Sequence, residues 1–184
     1  LAAARIPSGT LAVTVLRACE TASPSWLVSH CMRTWAWGAA LGVATGLSFD
    51  REALFAAALL HDLGLTDAYA PARGDCFAFS SARAAERITA EHETAPGRAR
   101  VIADAIVLHL EVQVSLAHGP EAHLLHAGAG CDVLGARLRS LPASVVEAVL
   151  RAHPRAEMND ALSSKMSALA ETAPKSGSHD ARVT

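Results

Sequence analysis

Two histidines and two aspartates stand in apolar stretches of the chain, where ionisable groups are unexpected. They are His30, the adjacent pair His61-Asp62, and Asp132. A charged group inside an apolar helix is destabilising unless it is paired or binds a cation. Two imidazoles and two carboxylates from three helices suit one divalent ion, with coordination positions left open for water. The sequence therefore predicts a metal site in a helical core.

Each of these residues also has an ordinary structural explanation. A single buried histidine is more often a hydrogen-bonded core residue, and a single buried aspartate often caps a helix or pairs with arginine. The metal interpretation depends on the conjunction of all four, above all on the adjacent pair that ends an apolar helix. Cys31 as a catalytic nucleophile is a less favoured interpretation, because a cysteine on an apolar helix is usually a small core residue.

Helical spacing places further candidates beside His30. At about 100° per residue, Arg33, Thr34 and Trp37 lie within about 60° of His30. We expect these three residues to line a substrate pocket. Arg33 could hold an anionic or developing negative group there, or form an ordinary salt bridge.

The helix of Asp132 contains two histidines at a spacing that resembles a ligand pair. Around that helix, Glu121 falls within about 60° of Asp132, whereas His123 and His126 fall about 180° and about 120° away. We therefore expect both histidines to be structural or to support a ligand, rather than to bind the same metal. The glycines of the segment 128–130 are expected to permit close packing of this helix.

Capping residues and breakers divide the chain into helices. Ser23-Pro24 and Gly119-Pro120 are typical helix starts, and Gly46 and Gly64 are typical ends. The alternation of apolar and polar residues that is typical of strands is scarce, which predicts an all-α fold. Helices are predicted over residues 10–21, 24–45, 50–63, 80–92, 97–110, from 119 past 132, 142–153 and 155–172. The expected organisation is a bundle over residues 1–155, a peripheral helix over 156–172 and a disordered tail over 173–184.

The composition excludes several classes of protein. The chain has 184 residues, of which 51% are hydrophobic, with a net charge of -2, so it is long and apolar enough for a sizeable core. The near-neutral charge argues against nucleic acid or a membrane as partner, and no segment is typical of a membrane span. Four widely spaced cysteines without a CxxC pair favour reduced thiols in the cytoplasm. A small-molecule substrate is the expected partner, and a homo-oligomer is left open.

The order His30, His61-Asp62, Asp132 resembles the HD-domain superfamily of metal-dependent hydrolases. In that superfamily the pattern H…HD…D supplies the metal ligands within a bundle of helices. Four segments are similar to the cyanamide hydratase-like branch: residues 29–34, LLHDLGL at 59–65, residues 105–109 and residues 119–135. The resemblance covers about residues 10–155. It implies an HD-domain helical bundle with a mononuclear, or alternatively dinuclear, site held by His30, His61, Asp62 and Asp132.

The resemblance also implies a cofactor and a reaction. It favours zinc, with manganese, iron, cobalt or nickel as alternatives, since mixed nitrogen and oxygen donors suit all of them. Asp62 would bind the metal and accept or relay a proton from water, while His109 or Arg33 would assist proton transfer or anchor the substrate. A second ion would need His109 and another ligand such as His118. The implied reaction adds activated water to a small polar substrate, cyanamide or a related nitrile.

Two other functions remain alternatives. The first is hydrolysis of a nucleotide or another phosphomonoester, with Arg33 and Arg83 holding the phosphate. Many HD nucleotidases have a glutamate shortly after the HD pair, whereas this chain has no carboxylate between Asp62 and Asp67. The second is a non-catalytic HD module that binds a ligand, against which the four intact ligand positions argue. A phosphate site needs several positive donors and a nitrile site needs few, so the charge of the pocket distinguishes the two reactions.

Overall fold

A computed structural model describes residues 5–72, 75–92, 95 and 97–172. Within these ranges the chain forms eight α-helices and no strand, which confirms the all-α prediction. The helices are α1 Thr10–Ala22, α2 Ser25–Ala44, α3 Arg51–Leu60, α4 Phe77–Ala90, α5 Arg98–Leu108, α6 Pro120–Leu134, α7 Ala143–Ala152 and α8 Met158–Thr172. None of the helices in this part of the chain is long and apolar enough to cross a membrane. The predicted disordered tail, 173–184, lies outside the described residues.

Helix α3 occupies the centre of the core. Every side chain from Ala53 to Leu60 is buried, and α3 packs against α1, α2, α5 and α6. The Asp50 side chain caps its start by accepting hydrogen bonds from the backbone amides of Glu52 and Ala53. The helix ends at Leu60, three residues earlier than the sequence predicts, because a short 3-10 turn over 63–65 follows. The HD pair therefore stands at the end of the most buried helix.

Helix α4 begins earlier than its sequence predicts. It starts at Phe77, whereas Ser80 or Ser81 was the expected cap. The Ser80 hydroxyl donates to the Tyr69 carbonyl, and the Ser81 hydroxyl accepts from the Gly64 amide. Both serines therefore attach α4 to the loop that follows the HD pair instead of capping a helix.

Helices α2 and α6 approach each other closely along a line that we call the α2–α6 seam, formed by Thr34, Gly38, Leu124 and Gly128. A Cβ atom built on Gly38 would lie 2.7 Å from the Leu124 carbonyl oxygen. One built on Gly128 would clash with the Thr34 carbonyl oxygen. The predicted role of Gly128 in close packing is thus confirmed. The seam brings the C-terminal half of α6 against the His30 face of α2.

Helix α8 contacts the bundle through a few apolar side chains. Most of its residues are exposed, but Met158 is buried and contacts the Arg33 guanidinium through its sulfur. Leu162 and Met166, one and two turns further on, face the core beside the HD pair. The helix expected to be peripheral therefore forms part of the wall around the candidate site.

Candidate metal centre

Donor atoms of His30, His61 and Asp62 face one another in the core. The Asp62 Oδ2 atom lies 3.4 Å from Nε2 of His30 and 3.4 Å from Nε2 of His61. All three side chains are buried, and one donor atom from each lies within 4.8 Å of the others. Tetrahedral bonds of about 2.1 Å place ligand atoms about 3.4 Å apart. The spacing and chemistry of these donors therefore fit a divalent cation, and we call the three residues the donor cluster.

Each histidine beside Asp62 has its other ring nitrogen held by an acceptor. These acceptors are the Ala58 carbonyl for Nδ1 of His61 (2.8 Å), the Ile106 carbonyl for Nδ1 of His109 (2.5 Å) and Asp132 Oδ2 for Nδ1 of His30 (2.7 Å). A carbonyl oxygen can only accept, so Nδ1 of His61 and of His109 carries the hydrogen. Their Nε2 lone pairs then face Asp62, which is how proteins orient histidine ligands.

His109 approaches the cluster from the opposite side of Asp62. Its Nε2 atom lies 3.6 Å from Asp62 Oδ1, and its ring centroid lies 4.9 Å from that of His61. Asp62 therefore directs one oxygen to His30 and His61 and the other to His109. The suggested partner for a second ion, His118, is exposed and bonds to Ser115 within its own turn, so the structure does not bring it to His109.

Asp132 is buried beside the cluster, but its carboxylate is already engaged. Arg33 donates from Nε to Oδ1 at 2.6 Å and from Nη2 to Oδ2 at 2.8 Å. Trp37 Nε1 donates to Oδ1 at 3.3 Å, and His30 Nδ1 bonds to Oδ2. The structure therefore groups His30, His61 and Asp62 without Asp132, which here orients His30. A direct bond from Asp132 to the metal stays a prediction.

Arg33, Thr34 and Trp37 lie at the α2–α6 seam and not in the cavity expected from the sequence. Arg33 is fully enclosed, and its Nη1 also donates to the carbonyls of His153 (3.0 Å) and Pro154 (2.8 Å). Thr34 and Trp37 are buried too, and the Thr34 hydroxyl has no hydrogen-bond partner among the described residues. All three do share the face of His30, but most of that face packs against α6.

A cavity of about 270 Å³ opens onto the donor cluster. The described residues that line it are His30, His61, Asp62, Phe77, His109, Leu110, His126, Ala129, Gly130, Val133, Leu162 and Met166. Of the predicted pocket residues, His109 is in this set, and Arg33, Thr34 and Trp37 are not. Neither arginine nor lysine occurs among these lining residues.

His126 lines the cavity, although its angle from Asp132 had indicated that it faces away. It is half-buried, and its Nδ1 bonds to the His109 carbonyl at 3.2 Å. The cavity lies to one side of Asp132, next to the face shared by His126, Ala129, Gly130 and Val133. At about 100° per residue, Ala129, Gly130 and Val133 each fall within about 60° of His126. A helical projection centred on His126 would therefore have identified this wall.

Other functional residues carried no comparable signal in the sequence. Phe77, Leu162 and Met166 reach the cavity from α4 and α8, and nothing in their local pattern indicates which apolar side chains meet the HD pair. His123 behaves as expected, because its Nδ1 bonds to the Val114 carbonyl at 2.7 Å and it does not line the cavity.

Burial and charge act differently on the two histidines of the cluster. Burial lowers the pKa of His61 to about 4, so its ring is neutral at physiological pH. Burial opposes the charged form of His30 as well, but the hydrogen bonds that its ring donates to Asp132 and Asp62 outweigh burial and raise the pKa to about 9. The pKa of Asp62 is held well below its usual range, because His61 and His30 outweigh the effect of burial. The cluster thus keeps an ionised carboxylate in the core, and a cation bound there would displace the proton of His30.

Comparison with known protein families matches residues 27–177 to the HD domain. The match begins in α2 and extends past α8, so it includes the donor cluster and the wall of the cavity. No curated protein matches the chain. HD domains are generally metal-dependent hydrolases, in agreement with the buried histidine and aspartate donors at the end of α3. Since the match covers most of its length, this chain belongs to the HD-domain family.

Proposed function

We propose that this protein is a metal-dependent hydratase or hydrolase that adds activated water to a small, uncharged polar substrate of the nitrile class, which includes cyanamide. The observation that carries the proposal is the cavity over the donor cluster, whose described lining contains no lysine or arginine. An uncharged reacting group needs no cationic clamp, whereas a phosphoryl group is normally held by several positive donors.

His30, His61 and Asp62 are the residues that would hold the divalent ion. An ion held there lowers the pKa of water toward ~7 and acts as a Lewis acid. Zinc is the preferred ion, and manganese, iron, cobalt and nickel accept the same mixture of donors. The proposal includes Asp132 as a fourth ligand or as the group that orients His30 through its 2.7 Å hydrogen bond.

Asp62 and His109 are the residues proposed to move protons. Both residues line the cavity, and Asp62 Oδ1 lies 3.6 Å from His109 Nε2. Asp62 can accept a proton from the attacking water, and His109 can take that proton and deliver it to the substrate nitrogen. Arg33 is enclosed at the seam, so its proposed part is to position Asp132, and through Asp132 to position His30.

The phosphohydrolase alternative has no arginine or lysine among the described residues that line this cavity. Arg33 is engaged with Asp132, and Arg83 lies on the surface, where it pairs with Asp75 at 3.6 Å. Neither arginine lines the cavity. Phosphomonoester hydrolysis and simple ligand binding are therefore kept as alternative outcomes of the experiment below.

The proposed function is tested with protein loaded separately with zinc, manganese, iron, cobalt or nickel. Each preparation is incubated with cyanamide, aliphatic and aromatic nitriles, and nucleoside monophosphates, while urea, amide and phosphate are measured. We expect urea or amide to form, and His61→Ala to reduce formation to background. The matched control is His92→Ala, because His92 bonds to Thr14 away from the cavity and its loss should leave turnover unchanged.

Two results would contradict the proposal in different ways. Phosphate release without any nitrile turnover would identify a phosphohydrolase. Stoichiometric metal binding that depends on His61, without turnover of any of these substrates, would favour a ligand-binding module.

A further inference from the structure

The cavity over the donor cluster has two ends of opposite chemical character. The donor cluster and His109 are polar and almost fully buried, so they form its floor. The remaining wall contains His126 and Gly130 but is mostly apolar, with Phe77, Leu110, Ala129, Val133, Leu162 and Met166. A ligand that fills the cavity therefore meets polar groups at one end and hydrocarbon at the other.

Three apolar side chains of this wall are partly open to water. Leu110, Val133 and Met166 are 50%, 43% and 42% exposed. Single exposed apolar residues are common on protein surfaces and need no explanation. These three, however, come from different elements, since Leu110 follows α5, Val133 belongs to α6 and Met166 belongs to α8, and they converge on one cavity. Covering them with an apolar ligand group would be favourable.

The size of the cavity limits what that group can be. An apolar cavity of about 150 Å³ is enough to bind benzene. The cavity measures about 270 Å³, just under the lower end of the ~300–1,000 Å³ typical of sites for drug-sized ligands. One aromatic ring or a short alkyl chain therefore fits together with a small polar head.

We propose that the substrate carries an apolar substituent, which Leu110, Val133 and Met166 bind while the reacting group faces the donor cluster. The identity of the reacting group rests on the proposed function, but the apolar subsite does not. Aromatic and alkyl nitriles are then preferred substrates. Cyanamide is a poor one, because it has no substituent to cover these side chains.

The subsite is tested by binding, independently of turnover. Acetohydroxamate and benzohydroxamate share a metal-chelating head and differ in a methyl or a phenyl group. Their dissociation constants for the zinc-loaded protein are measured by calorimetry, with metal content checked afterwards. We expect benzohydroxamate to bind at least about tenfold more tightly, the effect of a well-filled apolar pocket. Equal affinities, or no binding of either probe, would overturn the proposal.

Two polar substitutions on different helices test whether these side chains cause the preference for benzohydroxamate. The ratio of the acetohydroxamate dissociation constant to the benzohydroxamate dissociation constant should fall severalfold in Val133→Asn and in Met166→Gln. The affinity for acetohydroxamate should stay near its original value. The matched control is Val43→Asn, because Val43 is exposed to a similar extent at the end of α2 and does not line the cavity. A ratio that neither cavity variant changes would place the phenyl group elsewhere and overturn the proposal. Thermal unfolding checks that each variant is folded.

Turnover of cyanamide and benzonitrile by the same preparations separates failure of the subsite from failure of the proposed function. Preferential binding of benzohydroxamate without hydration of any nitrile would support the subsite and reject the reaction. Rapid hydration of cyanamide, slow hydration of benzonitrile and equal hydroxamate affinities would support the reaction and reject the subsite.

Discussion

Asp62 and Asp132 are both buried carboxylates beside His30, but their surroundings differ. Asp132, at the α2–α6 seam, receives charged hydrogen bonds from Arg33 and a further one from Trp37. Among the residues that the structure describes, the polar side-chain neighbours of Asp62 at the cavity are histidine nitrogens at 3.4 to 3.6 Å. The chain neutralises the first carboxylate with an arginine, whereas it surrounds the second with imidazole rings, which can also bind a cation. The seam is therefore a support, and the cavity is the place where an external cation can act.

The two regions also differ in how tightly they are packed. At the seam, backbones meet through glycine, and the side chains that carry charge are fully enclosed. At the cavity, apolar side chains from α6 and α8 remain partly exposed. Substitutions at the seam should therefore act on stability, whereas substitutions at the cavity should act on binding.

Arg33→Met is expected to have the largest effect on stability. It leaves Asp132 buried without its main partner, and breaking one side of a buried ion pair typically costs about 3–5 kcal/mol of unfolding free energy. Urea unfolding of the metal-free protein measures this cost. The control is Arg83→Met, because Arg83 and Asp75 are about half exposed and such pairs contribute about 0–1 kcal/mol. Similar losses of unfolding free energy in both variants would mean that the Arg33–Asp132 pair contributes no more than an exposed ion pair.

Binding of a metal ion at the donor cluster should stabilise the folded protein. At a free zinc concentration of 100 times the dissociation constant, linkage predicts about 2.7 kcal/mol of added unfolding free energy. Asp62→Asn should lose most of this increment while its metal-free stability changes less than that of Arg33→Met. Unfolding curves with zinc and with a chelator provide the measurement. An undiminished zinc effect in Asp62→Asn would remove Asp62 from the set of ligands.

Gly128→Ala and Gly130→Ala are a matched pair on one helix. The added methyl at Gly128 meets the Thr34 carbonyl, and overpacking of this kind costs about 1–3 kcal/mol. At Gly130 the nearest atom to the added methyl is Ala136 Cβ at 3.9 Å, so helix propensity should leave stability unchanged or raised by up to about 1 kcal/mol. Thermal unfolding compares the two variants. Equal destabilisation would show that α2 and α6 are less closely packed than described.

The smallest effect is expected for Lys165→Met. Lys165 pairs with Asp67 at 3.6 Å, but the Asp67 side chain is fully exposed. Water screens such a pair, so no measurable change in unfolding free energy is expected. A clear loss of stability would mean that α8 is held by charge as well as by Met158, Leu162 and Met166.

The sequence identified the residues with unusual chemistry more reliably than it identified the side chains that surround them in the fold. His30 and His61-Asp62 were recognisable because ionisable groups in apolar helices need a partner. The order of the helices followed from local signals such as the Asp50 cap and Ser23-Pro24. Residue type, order and capping are properties of short segments, and they were sufficient for the all-α fold and the donor cluster.

The surroundings of that cluster were not predictable from short segments. Periodicity correctly placed Arg33 on the face of His30, but it gives angles around one helix and does not identify what packs against each face. Whether Arg33 reaches a cavity or Asp132 depends on carbonyls 120 and 121 residues away, at His153 and Pro154. The position of α8 over the cavity depends in the same way on contacts between distant segments, and its amphipathic pattern indicated only a helix.

Helix α8 connects the two regions, and this has a kinetic consequence. Met158 packs on the enclosed Arg33 guanidinium, while Leu162 and Met166 line the cavity. Because Met158 has a docking place only after α2 and α6 have joined, α8 should dock late in folding. Regions with few buried contacts also detach first under native conditions. Hydrogen exchange should therefore be faster along α8 than along α3, because α8 can detach without unfolding of the bundle.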